Sequence, residues 1–181
     1  TLVKRPSAMR VAVENAIEAV EYQEFYKELT AGHYDKAKTI VNQKKVNRRK
    51  VVEDVLLAMW QEIEQNGTEE AKTISQTFQL DRAIELVFAK SAFDSAVGKN
   101  LCQNASDVAF WFNLGPAYLD GAINCAVSQY DPNNSFYDLI SVATIACEHP
   151  GTAELQKKVM ASWIEIFEKG NAGYRDYGWM A

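Results

Sequence analysis

Residues that interrupt helices are scarce in this chain. Only four prolines and nine glycines occur among its 181 residues, whereas all-β folds need a turn signal about every 8–12 residues. The apolar fraction of 48% and the charged fraction of 24% are ordinary for a globular protein. The sequence therefore predicts a soluble all-α bundle of about six to seven helices, folded as a single helical domain over residues 1–181.

Positive charge is also missing from much of the chain. No Lys or Arg occurs from Asn100 to Gln156, whereas seven cations and no acid lie between Lys36 and Lys50. The net charge of −5 argues against nucleic-acid binding, which requires a large basic surface. The basic segment is interpreted first as a solvated charged face, and a contact with other protein subunits is the alternative. The interface candidates in it are Lys44, Lys45, Arg48, Arg49 and Lys50.

Apolar residues recur with the helical period through the N-terminal half of the chain. Met9, Val13, Ala16, Ile17 and Val20 indicate a first, amphipathic helix. The pattern predicts an N-terminal four-helix part, with a sub-boundary near residues 98–106 before a C-terminal helical region. Its four segments run from Pro6 to about Gly32, over Tyr34–Val46, over Arg48–Gln65, and from Thr68 to about Asn100 with a bend near Gln79.

The C-terminal region is apolar and is interrupted by proline. Gly115-Pro116 lies within Val108–Tyr130, and proline removes a backbone donor, so we expect a break there. Val108–Val127 approaches the length of a membrane span, but its polar residues argue against a transmembrane segment. Further helices are predicted over Phe136–Cys147 and from Thr152 to Gly170. The aromatic tail with Tyr174, Tyr177 and Trp179 is expected to dock on its own domain or on a partner.

Motifs that carry chemistry are missing as well. The chain has two histidines, His33 and His149, and neither stands three or four residues from a carboxylate in the helical pattern that metal-binding bundles use. No glycine-rich phosphate loop is present. Carboxylate pairs such as Asp54 with Glu62 are interpreted as solvated charge. We therefore expect no catalytic residue, no metal, no cofactor and no enzymatic activity.

The three cysteines are Cys102, Cys125 and Cys147. They lack the spacing of a metal or redox motif and stand among apolar residues, so buried free thiols are expected. One disulfide with a third cysteine left over is the alternative that an odd count allows.

Two functions are compatible with these features. The first is a non-enzymatic structural or stabilising subunit that binds within a larger protein assembly through the basic segment, the cation-free region or the aromatic tail. The second is a carrier of an apolar small molecule or pigment. Its apolar pocket would lie beside the Gly115-Pro116 break, with Phe110, Trp111, Phe112 and Tyr118 as the candidate lining residues.

Residues 9–97 combine a long helix, a Leu29–Ala37 segment, a short piece with Arg48-Arg49-Lys50 and further long helices. In this order they resemble the four-helix PsbQ-like extrinsic subunits of photosystem II. The resemblance implies a non-catalytic extrinsic subunit in the thylakoid lumen, associated peripherally with a membrane complex. The apolar region from Val108 onward has no counterpart in that family, so the resemblance implies nothing about it.

Overall fold

The computed structural model describes residues 8–44, 46–65 and 67–128, together with Lys157, Met160, Ala161 and Ile164, which are helical. Residues 8–44, 46–65 and 67–128 form seven helices and contain no strand, which confirms the predicted all-α class. The helices are α1 (Ala8–Thr30), α2 (Tyr34–Gln43), α3 (Arg48–Gln65), α4 (Thr68–Phe78), α5 (Arg82–Gly98), α6 (Cys102–Trp111) and α7 (Pro116–Ser128).

The chain divides into two compact units, one up to Asp81 and one from Arg82 onward. In the first unit α1 packs on α2 and α3, and α4 packs on α2 and α3. Phe25 of α1 is fully buried, and its ring meets Phe78 edge-on at 6.3 Å between centroids. Burial of such side chains stabilises the unit by roughly 1.5–3 kcal/mol each. The core also contains Leu29, Ala37, Ile40, Val51, Val55, Met59, Ala71 and Ile74.

Left-handed backbone positions end two helices of this unit. Gly32 has φ +75° and follows α1, as the sequence predicts, because glycine adopts this conformation without a Cβ clash. Gln79 has φ 52° and ends α4. The stretch from Thr68 to Asn100 was expected to be one helix with a bend, and it is instead two helices, α4 and α5. Asn47 starts α3, because its Oδ1 accepts the backbone N–H groups of Arg49 and Lys50.

In the second unit α6 packs between α5 and α7, and α5 also contacts α7. Phe93 of α5 meets Tyr118 of α7 edge-on at 5.0 Å between centroids. A Cβ at Gly121 would lie 3.2 Å from the Phe93 ring, so the glycine permits this close packing. The core further includes Phe88, Ala89, Ala92, Ala96, Ala105, Val108, Ala109, Phe112, Leu119, Ala122 and Ile123.

The turn between α6 and α7 confirms the break predicted at Gly115-Pro116. Asn113 and Gly115 have positive φ, and Pro116 is the first residue of α7, where its missing N–H costs nothing. Arg82 secures the turn, since its guanidinium donates to the backbone carbonyl of Phe112 at 2.9 Å and pairs with the buried Glu85.

A disulfide joins Cys102 of α6 to Cys125 of α7, with 5.6 Å between their Cα atoms. The expectation of free thiols is therefore wrong for these two buried residues. The reversal of the chain at Gly115 brings the two helices side by side and places both cysteines at bonding distance, which sequence spacing alone does not reveal. Cys147 lies outside the described residues.

The helices predicted over Phe136–Cys147 and from Thr152 to Gly170 also fall on residues that are not described, apart from the four helical positions named above. Among the described residues, no helix has the length and apolar character needed to cross a membrane.

Candidate functional site

The N-terminal half of α1 presents an apolar stripe to solvent. Met9, Val13, Ile17 and Val20 follow one another at three- or four-residue spacing, and their exposed fractions are 79%, 50%, 53% and 64%. We call these four residues the α1 stripe. Such residues normally lie on the face that packs against the core. Val11, on another side of this half of α1, is 40% exposed as well, so the α1 stripe is the longest apolar line on a segment that is open to solvent on nearly all sides.

The α1 stripe lies on the side of the helix away from its packed side. At about 100° per residue, its centre is about 160° around the axis from Tyr22, Phe25 and Leu29, through which α1 contacts its own unit. The helix thus has two apolar faces in succession, one used within the chain near its C-terminus and one exposed near its N-terminus.

Small and acidic residues border the α1 stripe on opposite sides. Ala12, Ala16 and Ala19 lie on one side at helical spacing and permit close approach of a second backbone. On the other side lie Glu14 and Glu21. Glu14 forms an ion pair with Arg10, with 3.0 Å between Glu14 Oε1 and Arg10 Nε. The flank carries more acid than base, so it favours a basic neighbour.

The predicted basic interface is partly paired within the chain. Lys44 forms a 2.5 Å ion pair with Glu24 of α1, which raises the pKa of the lysine. Arg49 pairs with Glu53 at 2.9 Å. The remaining described members are Arg48, which is exposed, and Lys50, whose ammonium stands 3.6 Å from the centroid of the Tyr22 ring.

Four of the predicted interface residues, Lys45, Tyr174, Tyr177 and Trp179, lie outside the described residues. The expected docking of the aromatic tail therefore stays a prediction.

The aromatic residues predicted to line a pocket all contact other rings of the second unit. Phe112 is fully buried and lies 5.8 Å from Phe88 between centroids, and Tyr118 contacts Phe93. Phe110 and Trp111 meet each other edge-on at 5.5 Å. These are contacts of the kind found in helical cores, and the carrier function stays a prediction.

A cleft of about 290 Å³ opens between the end of α1, the turn to α2, and α3. Two tyrosine hydroxyls hold carboxylates at it. Tyr22 donates to Asp54 Oδ2 and Tyr34 donates to Glu62 Oε1, both at 2.5 Å. Burial, followed by the bond to the carboxylate, raises the pKa of each tyrosine well above its usual value near 10.0. We call this the tyrosine–carboxylate cleft. Its lining is Tyr26, Leu29, Thr30, Ala31, Gly32, Tyr34, Asp54, Leu57, Ala58, Gln61, Glu62 and Gln65.

The cleft is the feature that the sequence analysis missed. Asp54 and Glu62 were considered as a pair and interpreted as solvated charge, but the structure gives each carboxylate a tyrosine partner and places both carboxylates in the lining of one cleft. Those partners stand 32 and 28 residues away in sequence, so the helical period of α3 contains no sign of them. The sequence feature that could have indicated them is the pair Tyr22 and Tyr34, which stand on either side of the predicted turn at Gly32.

His33 is the histidine among the described residues, and it takes part in a surface contact. His33 lies at the start of α2, and its Nδ1 is 2.8 Å from Glu28 Oε2 on the surface. No group of three or more His, Cys, Asp or Glu side chains within the described part of the chain is arranged to hold a metal ion. His149 is not among the described residues.

Comparison of the chain with protein-family models, with curated proteins and with solved structures finds no match.

Proposed function

We propose that this protein is a non-enzymatic helical subunit that binds a partner protein through the α1 stripe. The observation that carries the proposal is the exposure of four large apolar side chains along one line of α1, on the side away from its own core. Contiguous exposed apolar surface on a folded chain is typical of interaction sites.

The border of the stripe indicates the chemistry of the partner. Acidic residues on one side favour basic side chains, and alanines on the other side allow a helix to approach closely. The partner segment that fits is therefore an amphipathic helix whose apolar stripe is flanked by Lys or Arg. A membrane surface fits less well, because helices that bind membranes carry mainly basic residues on their polar face.

The resemblance of residues 9–97 to PsbQ-like subunits offers photosystem II as one such assembly, and the thylakoid lumen as the compartment. The buried disulfide supports a compartment that is oxidising. Detection of the chain in purified photosystem II, and its release from the complex by salt, would test this assignment.

The general proposal is tested with two synthetic helices that share one apolar stripe and differ only in flanking charge. We expect the lysine-flanked helix to bind the full chain at least about tenfold more tightly than its glutamate-flanked twin, or about 1.4 kcal/mol. Ile17→Asp should abolish binding. Asn15→Asp is the matched control, because it adds the same charge about 160° away around the helix.

Three results would contradict the proposal. Equal binding of the two helices would exclude recognition of flanking charge, and equal loss in both variants would exclude the α1 stripe as the contact. Self-association of the chain that Ile17→Asp abolishes, seen by sedimentation without binding of either helix, would replace the partner helix with a second copy.

A further inference from the structure

We propose that Met9 is a reversible oxidation site, at which a peroxide switches off binding through the α1 stripe. The inference rests on the proposed function, because it concerns the regulation of the same surface. Among the four stripe residues, Met9 carries a thioether, which peroxides oxidise. The other three are valine and isoleucine, whose hydrocarbon side chains peroxides leave unchanged. The stripe therefore contains one position whose polarity an oxidant can change.

Met9 is the most accessible methionine that the structure describes. Its exposed fraction is 79%, against 56% for Met160 and 0% for Met59. The fourth methionine, Met180, lies outside the described residues. The first unit contains no cysteine, so no thiol in that unit competes for the oxidant. Because the oxidant must reach the sulfur atom, we expect Met9 to react well before the buried Met59.

The reaction transfers one oxygen atom to sulfur. A sulfur lone pair attacks one oxygen of hydrogen peroxide, and the S–O bond forms as the O–O bond breaks. The proton on the transferred oxygen passes to the departing oxygen, which leaves as water, so that sulfur is oxidised by two electrons and the peroxide is reduced by two. A thiol-dependent reductase reverses the change, removing the oxygen as water while two of its thiols form a disulfide.

The product is unsuited to an apolar contact. Methionine sulfoxide is polar, and its oxygen needs hydrogen-bond donors that an apolar helix–helix contact does not supply. Met9 lies at one end of the stripe, so its oxidation reduces the apolar line to Val13, Ile17 and Val20. Losing the burial of one methionine side chain should weaken binding at least about tenfold. The fold should not change, because a side chain this exposed contributes little to the core.

A second observation supports contact of the chain with oxidants. The disulfide between Cys102 and Cys125 supports an oxidising compartment, in which bonds of this kind form and persist. Oxidation of an exposed thioether is expected in the same surroundings.

Brief treatment of the full chain with hydrogen peroxide tests the proposal. Peptide mass mapping should show one added oxygen at Met9 while Met59 is still unmodified. At that stage the oxidised chain should bind the lysine-flanked helix at least about tenfold more weakly than the untreated chain. Reduction by methionine sulfoxide reductases specific for each of the two epimers should restore binding. Thermal melts of the two forms should coincide.

Two variants separate the chemistry of Met9 from the fold. Met9→Leu keeps an apolar side chain without the thioether, so its binding should survive and become insensitive to peroxide. Met9→Gln places a polar amide there and should weaken binding without any oxidant; both replacements favour the helix. Met160→Leu is the matched control, because it removes an exposed thioether from the other unit. Peroxide should still abolish binding in this control.

The outcomes distinguish this inference from the proposed function. If the untreated chain binds neither synthetic helix, both are overturned. If the untreated chain binds and the oxidised chain binds equally well, only the oxidation switch is overturned. Protection of binding by Met160→Leu instead of Met9→Leu, or oxidation of Met59 ahead of Met9, would also overturn the switch while leaving the α1 stripe as the contact.

Discussion

Reduction of the Cys102–Cys125 disulfide should destabilise the second unit selectively. The bond closes a loop with a sequence separation of 23 residues. A loop of this length loses roughly 11–12 cal/mol/K of entropy in the unfolded chain when it is cross-linked, which corresponds to about 3.4 kcal/mol at 25 °C. Both cysteines are buried between α6 and α7, so the bond ties together the two helices that the Gly115 turn reverses.

Hydrogen exchange followed by mass spectrometry is the appropriate assay, because it reports on each helix separately. With the bond reduced, amide groups of α6 and α7 that exchange through unfolding of their unit should exchange up to about 300-fold faster, the equivalent of about 3.4 kcal/mol. Amide groups of α3 and α4 belong to the first unit and serve as the internal reference. Cys147→Ala is the matched control, since the third cysteine takes no part in this bond.

Two outcomes would refute this reasoning. If reductant leaves exchange in α6 and α7 unchanged, the bond does not constrain the unfolded state by the expected amount. If Cys147→Ala removes the response to reductant, the functional pairing involves Cys147 rather than the two cysteines on α6 and α7. Alkylation of the denatured, unreduced chain checks the pairing directly, because three cysteines minus the two in the bond leaves one to be modified.

Three further perturbations test other parts of the fold. The folded-state pKa of Tyr22 and of Tyr34 lies above the unfolded value of 10.0, so the stabilisation from each tyrosine is complete below about pH 10 and is lost as pH rises. Urea unfolding above that pH should show the free energy of unfolding falling by up to about 1.4 kcal/mol per pH unit for each tyrosine. The double variant Tyr22→Phe/Tyr34→Phe should lack this slope. Phe25→Ala, at a fully buried position, should lower the free energy of unfolding by about 3–5 kcal/mol. Gly115→Ala should lower the free energy of unfolding by about 1–3 kcal/mol, because Gly115 has φ +97° and its backbone would be strained although a Cβ there meets no neighbour. Gly98→Ala, at an equally open position in α5, should raise the free energy of unfolding by about 0.4–1 kcal/mol. Thermal melts that rank the two glycine variants in the opposite order would contradict this account.

The helical class and most helix ends follow from local chemistry. The predictions rest on properties of neighbouring residues: the scarcity of proline and glycine, the 3.6-residue apolar period, and the helix-breaking residues Gly32 and Gly115-Pro116. The structure confirms the helical class and the helix ends at these two places. The end of α4 at Gln79 was anticipated only as a bend. Glutamine is not a residue that favours positive φ, so nothing in the local sequence identifies a complete break.

Features that depend on distant residues were not predictable in the same way. The disulfide requires α6 and α7 to lie side by side, and the tyrosine–carboxylate cleft requires α1 and α2 to bring hydroxyl groups to α3. The α1 stripe illustrates a third case. Helical periodicity finds an apolar face, but it does not say whether that face meets the core or solvent.

The exposure of the first half of α1 also bears on how it would bind. Residues 9–20 are largely solvent-exposed, and isolated helices shorter than about 12–15 residues are marginal in water. This segment therefore depends on the packed half, from Tyr22 onward, as the template on which its helical turns propagate. Docking of a partner would consolidate those turns as it covers the apolar side chains, so recognition and local folding would proceed together, and part of the contact free energy would be consumed in ordering the helix.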